Sequence, residues 1–334
     1  MKATQLQEDL QMSPLSSFST LTINANTEEF SFCLDLSRSE SFPSHRFSCV
    51  DDEFHADIRY STYQVPQNAA HLQLELGDCL GFGATGTVYA ARISNPLSDL
   101  PPSVPEELVV KFARLDHCRS LAREAWIYNY LDENQRLTGT VVPRCYGFFT
   151  SKLTESGMDC MTLSSSELPF ELPWSLYEYD GNPDRDDILH DDFDDEVVRP
   201  QTWNPGHIIT KDSSPWNSWT PDPDDPLVAV LLLEKGGQRY TDFDDRDPLV
   251  REDVELVCED LEFAGIAHND FRMPNLIRAP LATSVCPRHK RVHKWNIIDF
   301  NQAWPLDLSV ENFPRDTNAV LNSRYRSGYF YGWQ

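Results

Sequence analysis

The chain has 334 residues, 40% of them hydrophobic, enough to pack a core as one large domain or as two parts around a cleft. Its formal net charge of −25 argues against a nucleic-acid-binding surface over most of the molecule. No run is long enough to cross a membrane, the N-terminus has no apolar signal core, and the eight scattered cysteines without a C-x-x-C pair give no zinc site and no disulfide framework. A reduced, cytoplasmic or nuclear protein is therefore expected.

Residues 1–68 are rich in Ser, Thr and Asp, with short apolar patches such as LTINA and EEFSFCLDL, and read as a partly ordered extension that adds a strand or two. The pattern then changes. LQLEL (72–76) alternates and TVYAARI (87–93) is β-branched and aromatic, so a hairpin is expected with Gly81, Gly83 and Gly86 between its arms. A proline-rich loop leads to a third strand, LVVKFARL (108–115). SLAREAWIYNYL (120–131) carries Leu121, Ala125, Tyr128 and Leu131 along one helical face, and VVPRCYGFFT (141–150) reads as a further strand.

Residues 151–225 break this order. A dense acidic run between Glu178 and Glu196 is mixed with Pro, Asn, Ser and four tryptophans, Trp174, Trp203, Trp216 and Trp219. So long a stretch is unusual inside a compact domain, so it reads as an insertion, largely loop or disordered. Its tryptophans suit either a protein partner or local packing. LVAVLLLEK (227–235) is a continuous apolar run suited to a buried strand. Asp247 and Pro248 are a good N-cap and first helical residue for a helix that turns Val254, Val257 and Leu261 inward and stops at Gly265. NLIRA and WNIIDF read as short strands joined by the basic loop CPRHKRVHK. That loop suits a solvated turn better than a contact with nucleic acid or with the acidic insertion.

Gly81, Gly83 and Gly86 have the spacing G-x-G-x-x-G, with Val88 following, and glycines so placed can bring backbone N–H groups close to phosphate. A dinucleotide-binding turn needs a helix after the glycines, and here a β-type run follows. A Walker loop needs a closing G-K-[ST], which is absent. The remaining reading requires a series of downstream partners, and they occur in order. Lys111 lies in VVKF, Glu124 in REAWIYNYL, His268, Asp270 and Asn275 in AGIAHNDFRMPNLI, and Asp299 in WNIIDFN. On these residues the chain resembles the protein-kinase-like superfamily, and more closely divergent fungal kinase-like proteins, compact atypical kinases and antibiotic phosphotransferases.

The resemblance implies an α+β, two-lobed kinase-like fold. Residues 69–234 would form the small lobe, five antiparallel strands and one helix, with the insertion at about 151–225. Residues 235–334 would form a reduced, mainly helical second lobe. ATP would sit at the seam, its adenine against LLLEKGG (231–237), which includes Glu234. The backbone from Gly83 through Ala84 to Gly86 would cover the phosphates, Lys111 would add a point charge held by Glu124, and Asn275 and Asp299 would hold Mg²⁺. Asp270 would orient the acceptor hydroxyl and take its proton, next to His268.

Departures from the family pattern qualify this. Asn269 stands where the family has an arginine that reads activation-loop phosphate, and Asn301 where it has a glycine. No A-P-E follows, and the 35 residues after Asp299 are too few for a peptide platform. An ATP-dependent phosphotransferase, acting on a protein Ser/Thr or a small-molecule hydroxyl, is favoured by the joint presence of Lys111, Asp270, Asn275 and Asp299. A pseudokinase scaffold that binds nucleotide or a partner without turnover is favoured by the short remainder. A structural relative that binds nothing is the third reading.

Overall fold

The computed structural model describes residues 15, 17–26, 31–42, 46–48, 65–66, 69–83, 85–95, 100, 104–154, 172–174, 208–210, 214–222, 224–268 and 270–305. In chain order these give β1 (Phe18–Asn26), β2 (Ser31–Arg38), β3 (Arg46–Ser48), β4 (Ala70–Phe82), β5 (Gly86–Ile93), β6 (Glu107–Ala113), α1 (Cys118–Gln135), β7 (Cys145–Lys152), β8 (Ile208–Thr210) and β9 (Leu227–Glu234). There follow α2 (Asp242–Asp245), α3 (Pro248–Phe263), β10 (Ile266–Ala267), β11 (Leu276–Arg278), β12 (Trp295–Ile297) and β13 (Trp304–Pro305). Among the described residues no helix is long and apolar enough to cross a membrane.

The expected two-lobed architecture is not what forms. Seven strands close into a barrel in the order β1-β2-β7-β9-β6-β5-β4, with β4 returning to β1 as the one parallel pair of the ring. The described residues after 235 hold α2, α3, one 3-10 turn at Met273–Asn275 and two-stranded ladders, β10 with β13 and β11 with β12, and form no helical lobe. The cause lies in the N-terminal residues. Leu21, Ile23 and Ala25 alternate along β1, and Phe32, Leu34 and Leu36 along β2, so each strand has one apolar face. Those two faces cover an edge that would otherwise be open, and closure removes the unpaired edge altogether.

Two apolar layers result. The barrel interior takes Phe18, Leu72, Leu74, Leu108, Val110, Phe112, Val228, Val230 and Leu232, together with Trp174, whose ring meets Phe32 edge-on at 5.0 Å. The second layer lies outside the barrel wall, where Val109, Phe148, Ala229, Leu231 and Leu233 pack against α1, α3 and Trp295. This explains the unbroken apolar run of β9: successive side chains enter opposite layers, and both are dry. Trp216 also joins the second layer and donates from Nε1 to the Glu40 carbonyl at 3.0 Å. Trp174 and Trp216 are thus core residues, while Trp203 and the acidic run from 178 to 196 lie outside the described residues.

The helices start and stop where side-chain chemistry directs. Asp247 caps α3 by accepting from Leu249 N–H at 2.9 Å, Pro248 takes the position where a missing N–H costs nothing, and Gly265 follows at φ 71°. α1 ends on Arg136 in the left-handed region, its N–H returned to the Asp132 carbonyl at 3.1 Å.

Candidate functional site

The site grows from the period of β6. Leu108, Val110 and Phe112 point into the barrel, so Val109, Lys111 and Ala113 point outward beneath α1. Register then sets a row across four strands, because Gly81 pairs with Val88, Val88 with Lys111, and Lys111 with Leu231. Paired residues share a face, so the glycine hairpin and Lys111 lie on the same side of the wall.

α1 presents Glu124 to that side, and the Lys111 ammonium donates to Glu124 Oε2 at 2.6 Å and to Asp299 Oδ1 at 2.7 Å. Glu124 is 1% exposed, Lys111 11% and Asp299 26%, so the opening lies on the Asp299 side. One ammonium serves two carboxylates. Burial, with Asp299 adding to it against the pull of Lys111, pushes Glu124 up to about 7. Burial also opposes ionisation of Asp299, but the Lys111 ammonium overrides it and holds that carboxyl below the usual range. Lys111 is itself raised, since Asp299 and Glu124 outweigh its burial. Asp299 has φ 70°, in the left-handed region, where a residue other than glycine stores about 1–2 kcal/mol.

The segment from 268 to 275 is tied to Asp299 by backbone bonds. Ile298 N–H donates to the Asn275 carbonyl at 2.9 Å, and the Ile298 carbonyl accepts from His268 Nε2 at 3.0 Å. His268 Nδ1 accepts from Asp270 N–H at 3.3 Å, which assigns the proton to Nε2 and leaves the ring neutral. Burial lowers its pKa in the same sense, and the side chain has no exposed surface. Asn275 Nδ2 donates to Asp270 O at 2.8 Å and Oδ2 at 3.0 Å, so its carbonyl oxygen is the atom left for another partner. Arg272 pairs with Asp270 Oδ2 at 3.0 Å, yet burial still leaves the Asp270 carboxyl above its ordinary value. Asn269 lies outside the described residues.

The glycines have separable tasks. A β-carbon on Gly86 would overlap the Phe112 carbonyl oxygen of β6, so this glycine is required by strand approach. Gly83 has open space, donates to the Gly86 carbonyl at 2.8 Å, and has its own carbonyl held by Arg114 Nη2 at 2.9 Å. Gly81 lies against the Arg239 guanidinium. Ala84 lies outside the described residues. Val88 is half-buried against the second layer.

Glu234 ends β9 with its carboxylate on Arg144 at 2.9 Å, and the same guanidinium donates to the Ala282 carbonyl at 3.0 Å. Its side chain therefore joins the wall to the loop before β12. Gly236 and Gly237 lie closely on Ile277 and Arg278, and Gly237 N–H donates to the Arg278 carbonyl at 2.8 Å.

Arg114, Arg239 and Arg272 were not legible as site residues, since an arginine beside a glycine turn or two positions after an aspartate carries no signal of its own. The basic loop is solvated on one side only, with Lys290 and Lys294 exposed and Cys286 and His293 buried. His289 and His293 face α3, where Asp253 and Asp260 are fully buried, and Arg288 and Arg291 pair with those two aspartates.

No family model matches the chain, and no curated protein matches it. Among solved structures, the structure of vaccinia related kinase 3 is similar over 70% of this chain and 49% of that one, with 11% identity and a TM-score of 0.31. The chain spans about half the length of that structure. A likeness at this level carries no argument about activity.

Proposed function

We propose that the chain is a phosphotransferase that moves the γ-phosphoryl group of ATP to a hydroxyl acceptor with Mg²⁺. The observation that carries this reading is the shared salt bridge: Lys111 lies between Glu124 and Asp299, and Asp299 is tied through Ile298 to the Asp270–Asn275 pair. A buried carboxylate and a half-buried one on a single ammonium leave surplus negative charge, and hard oxygens from Asp299 and Asn275 suit a small hard cation that offsets it. Asp299 and Asn275 would hold such an ion, and its charge would offset that of a bound phosphate.

The chain's own residues would divide the remaining work. Glu124 restrains the Lys111 ammonium so that it acts as a fixed positive charge toward the α- and β-phosphates. Gly81 and Gly83 keep the hairpin low on the same face, with Arg114 and Arg239 as cations beside it. Asp270, raised above its ordinary value, orients the acceptor hydroxyl and takes its proton. His268 holds the two segments together without reaching the opening. The connection 231–237 would receive the base.

The test combines thermal-shift titration with Mg²⁺ and ATP and an assay of γ-phosphate release or self-transfer. The expected result is Mg²⁺-dependent stabilisation that is lost in Asp299→Asn, with transfer lost in Asp270→Ala while binding remains. Stabilisation without transfer in the wild type overturns turnover and leaves a nucleotide-binding scaffold. No shift with any adenine or guanine nucleotide overturns both.

A further inference from the structure

A second cluster of ligating side chains lies away from the Lys111 site and takes no part in it. Asp260 of α3 meets Cys286, His289 and His293 of the loop between β11 and β12, and one donor atom from each lies within 4.8 Å of all the others. Five of the six separations are 3.0 Å (Asp260 Oδ2 to Cys286 Sγ), 3.2 Å (Asp260 Oδ2 to His289 Nδ1), 3.1 Å (Asp260 Oδ2 to His293 Nε2), 3.7 Å (Cys286 Sγ to His289 Nδ1) and 3.5 Å (His289 Nδ1 to His293 Nε2). A tetrahedral ion with bonds of about 2.0–2.3 Å has ligand–ligand edges about 1.6 times longer, roughly 3.3–3.8 Å. The four atoms already lie near the corners of such a tetrahedron.

The surroundings match a metal site at the next layer out. His293 Nδ1 lies 3.1 Å from Asp253 Oδ1, so a proton on Nδ1 leaves the Nε2 lone pair directed at the cluster. Asp253 is held in turn by Lys294 N–H at 2.7 Å. His289 Nε2 lies 3.5 Å from Glu259 and 3.4 Å from the Arg288 guanidinium, so its outer nitrogen is less firmly oriented than that of His293. Arg288 takes Asp260 Oδ1 at 3.0 Å, leaving Oδ2 for the centre. His289 N–H donates to Cys286 Sγ at 3.3 Å, the kind of bond that favours a thiolate. A divalent ion with one thiolate, one carboxylate and two neutral imidazoles sums to zero charge, which makes burial of this set tolerable.

We propose that Asp260, Cys286, His289 and His293 bind one Zn²⁺ as a closed structural site that clips the β11–β12 loop to α3. The soft sulfur and two imidazoles select zinc over magnesium or calcium, and four protein ligands leave no open position for substrate. A nucleophilic role for Cys286 is the competing chemistry, and the side chain has no exposed surface through which a substrate would reach it. The loop so held connects β11 and β12, and Asn275 precedes the first of these strands while Asp299 follows the second. The ligands follow C-x2-H-x3-H, with the fourth supplied from 26 residues earlier than Cys286, and for that reason a search for paired cysteines passes over them.

Full-length protein purified without chelator is expected to carry about one zinc per chain by elemental analysis. Cys286→Ser and His293→Ala should lose it and Cys33→Ser, at an exposed cysteine of β2, should keep it. Asp253→Asn should weaken zinc about 10–100-fold in a competition with a chromogenic chelator. In case ligand variants fail to fold, wild-type protein is stripped and loaded with Co²⁺. Intense visible bands of tetrahedral cobalt, a near-ultraviolet thiolate charge-transfer band, and bleaching of both by Zn²⁺ are the expected result. Wild type that takes up neither ion, an octahedral spectrum without the thiolate band, or zinc retained in Cys286→Ser overturns the proposal. None of these measurements involves ATP, so their failure is distinct from failure of the phosphotransferase reading.

Discussion

Glu124 shares the Lys111 ammonium with Asp299 while having almost no contact with water, and this has a measurable consequence. In the folded chain its carboxyl is raised to about 7, against 4.5 ordinarily. Between those values the folded state holds more protons than the unfolded state, so stability falls as pH rises through the window. Asp299 titrates below this window and Lys111 above it, so neither contributes a slope there. The wild type should therefore lose stability relative to Glu124→Gln from pH 4.5 to 7, by on the order of 2 kcal/mol, in urea melts at successive pH values. A constant difference would show that Glu124 stays ionised throughout. Lys111, Glu124, Asp270, Asn275 and Asp299 were each legible as residue types in an ordered series. Their sharing of charge was not, because it depends on which side of a strand meets which face of a helix.

At the level of elements, the glycine hairpin separates two requirements that the same motif hides. Gly86 is pressed on the Phe112 carbonyl of the neighbouring strand, whereas Gly83 has open space where a methyl group would go. Gly86→Ala should cost about 1–3 kcal/mol in chemical denaturation, because backbone rather than a flexible side-chain end must move. Gly83→Ala should stay within about 0.5 kcal/mol, so any loss of nucleotide affinity it causes reports on the loop itself. Equal costs at the two positions would mean the hairpin shifts to accommodate both. The hairpin, β6, α1, β7, β9, α3 and the pair β11–β12 were readable from periodicity and caps. Loop 286–293 was not, since its histidines alternate with arginine and lysine and only the buried aspartates of α3 reveal which side is inward.

For the whole molecule, the largest departure from expectation is a closed barrel in place of a two-lobed fold. The first 68 residues read as an extension that adds a strand or two, and the strands they add, β1 and β2, complete the ring and line its interior. Removing residues 1–68 should leave β4 and β7 with open edges and expose the inner faces of Leu72, Leu74 and Phe149. The 69–334 chain should bind a hydrophobic dye, melt without a cooperative transition and aggregate, where the full chain does none of these. A soluble, cooperatively melting 69–334 chain would show that the remaining strands suffice.

Sequence alone determined what local chemistry dictates: strands from alternation, helices from spacing and caps, and the order along the chain of Lys111, Glu124, Asp270, Asn275 and Asp299. Those signals act over a few residues and survive without knowledge of neighbours. Closure of the barrel, the burial of Trp174 and Trp216, the shared Lys111 bridge and the Asp260–Cys286–His289–His293 cluster were decided only in three dimensions. Each depends on contacts between segments far apart in the chain, such as Lys111 and Asp299 at a separation of 188 residues, and pairings at that range leave no periodic trace in one sequence.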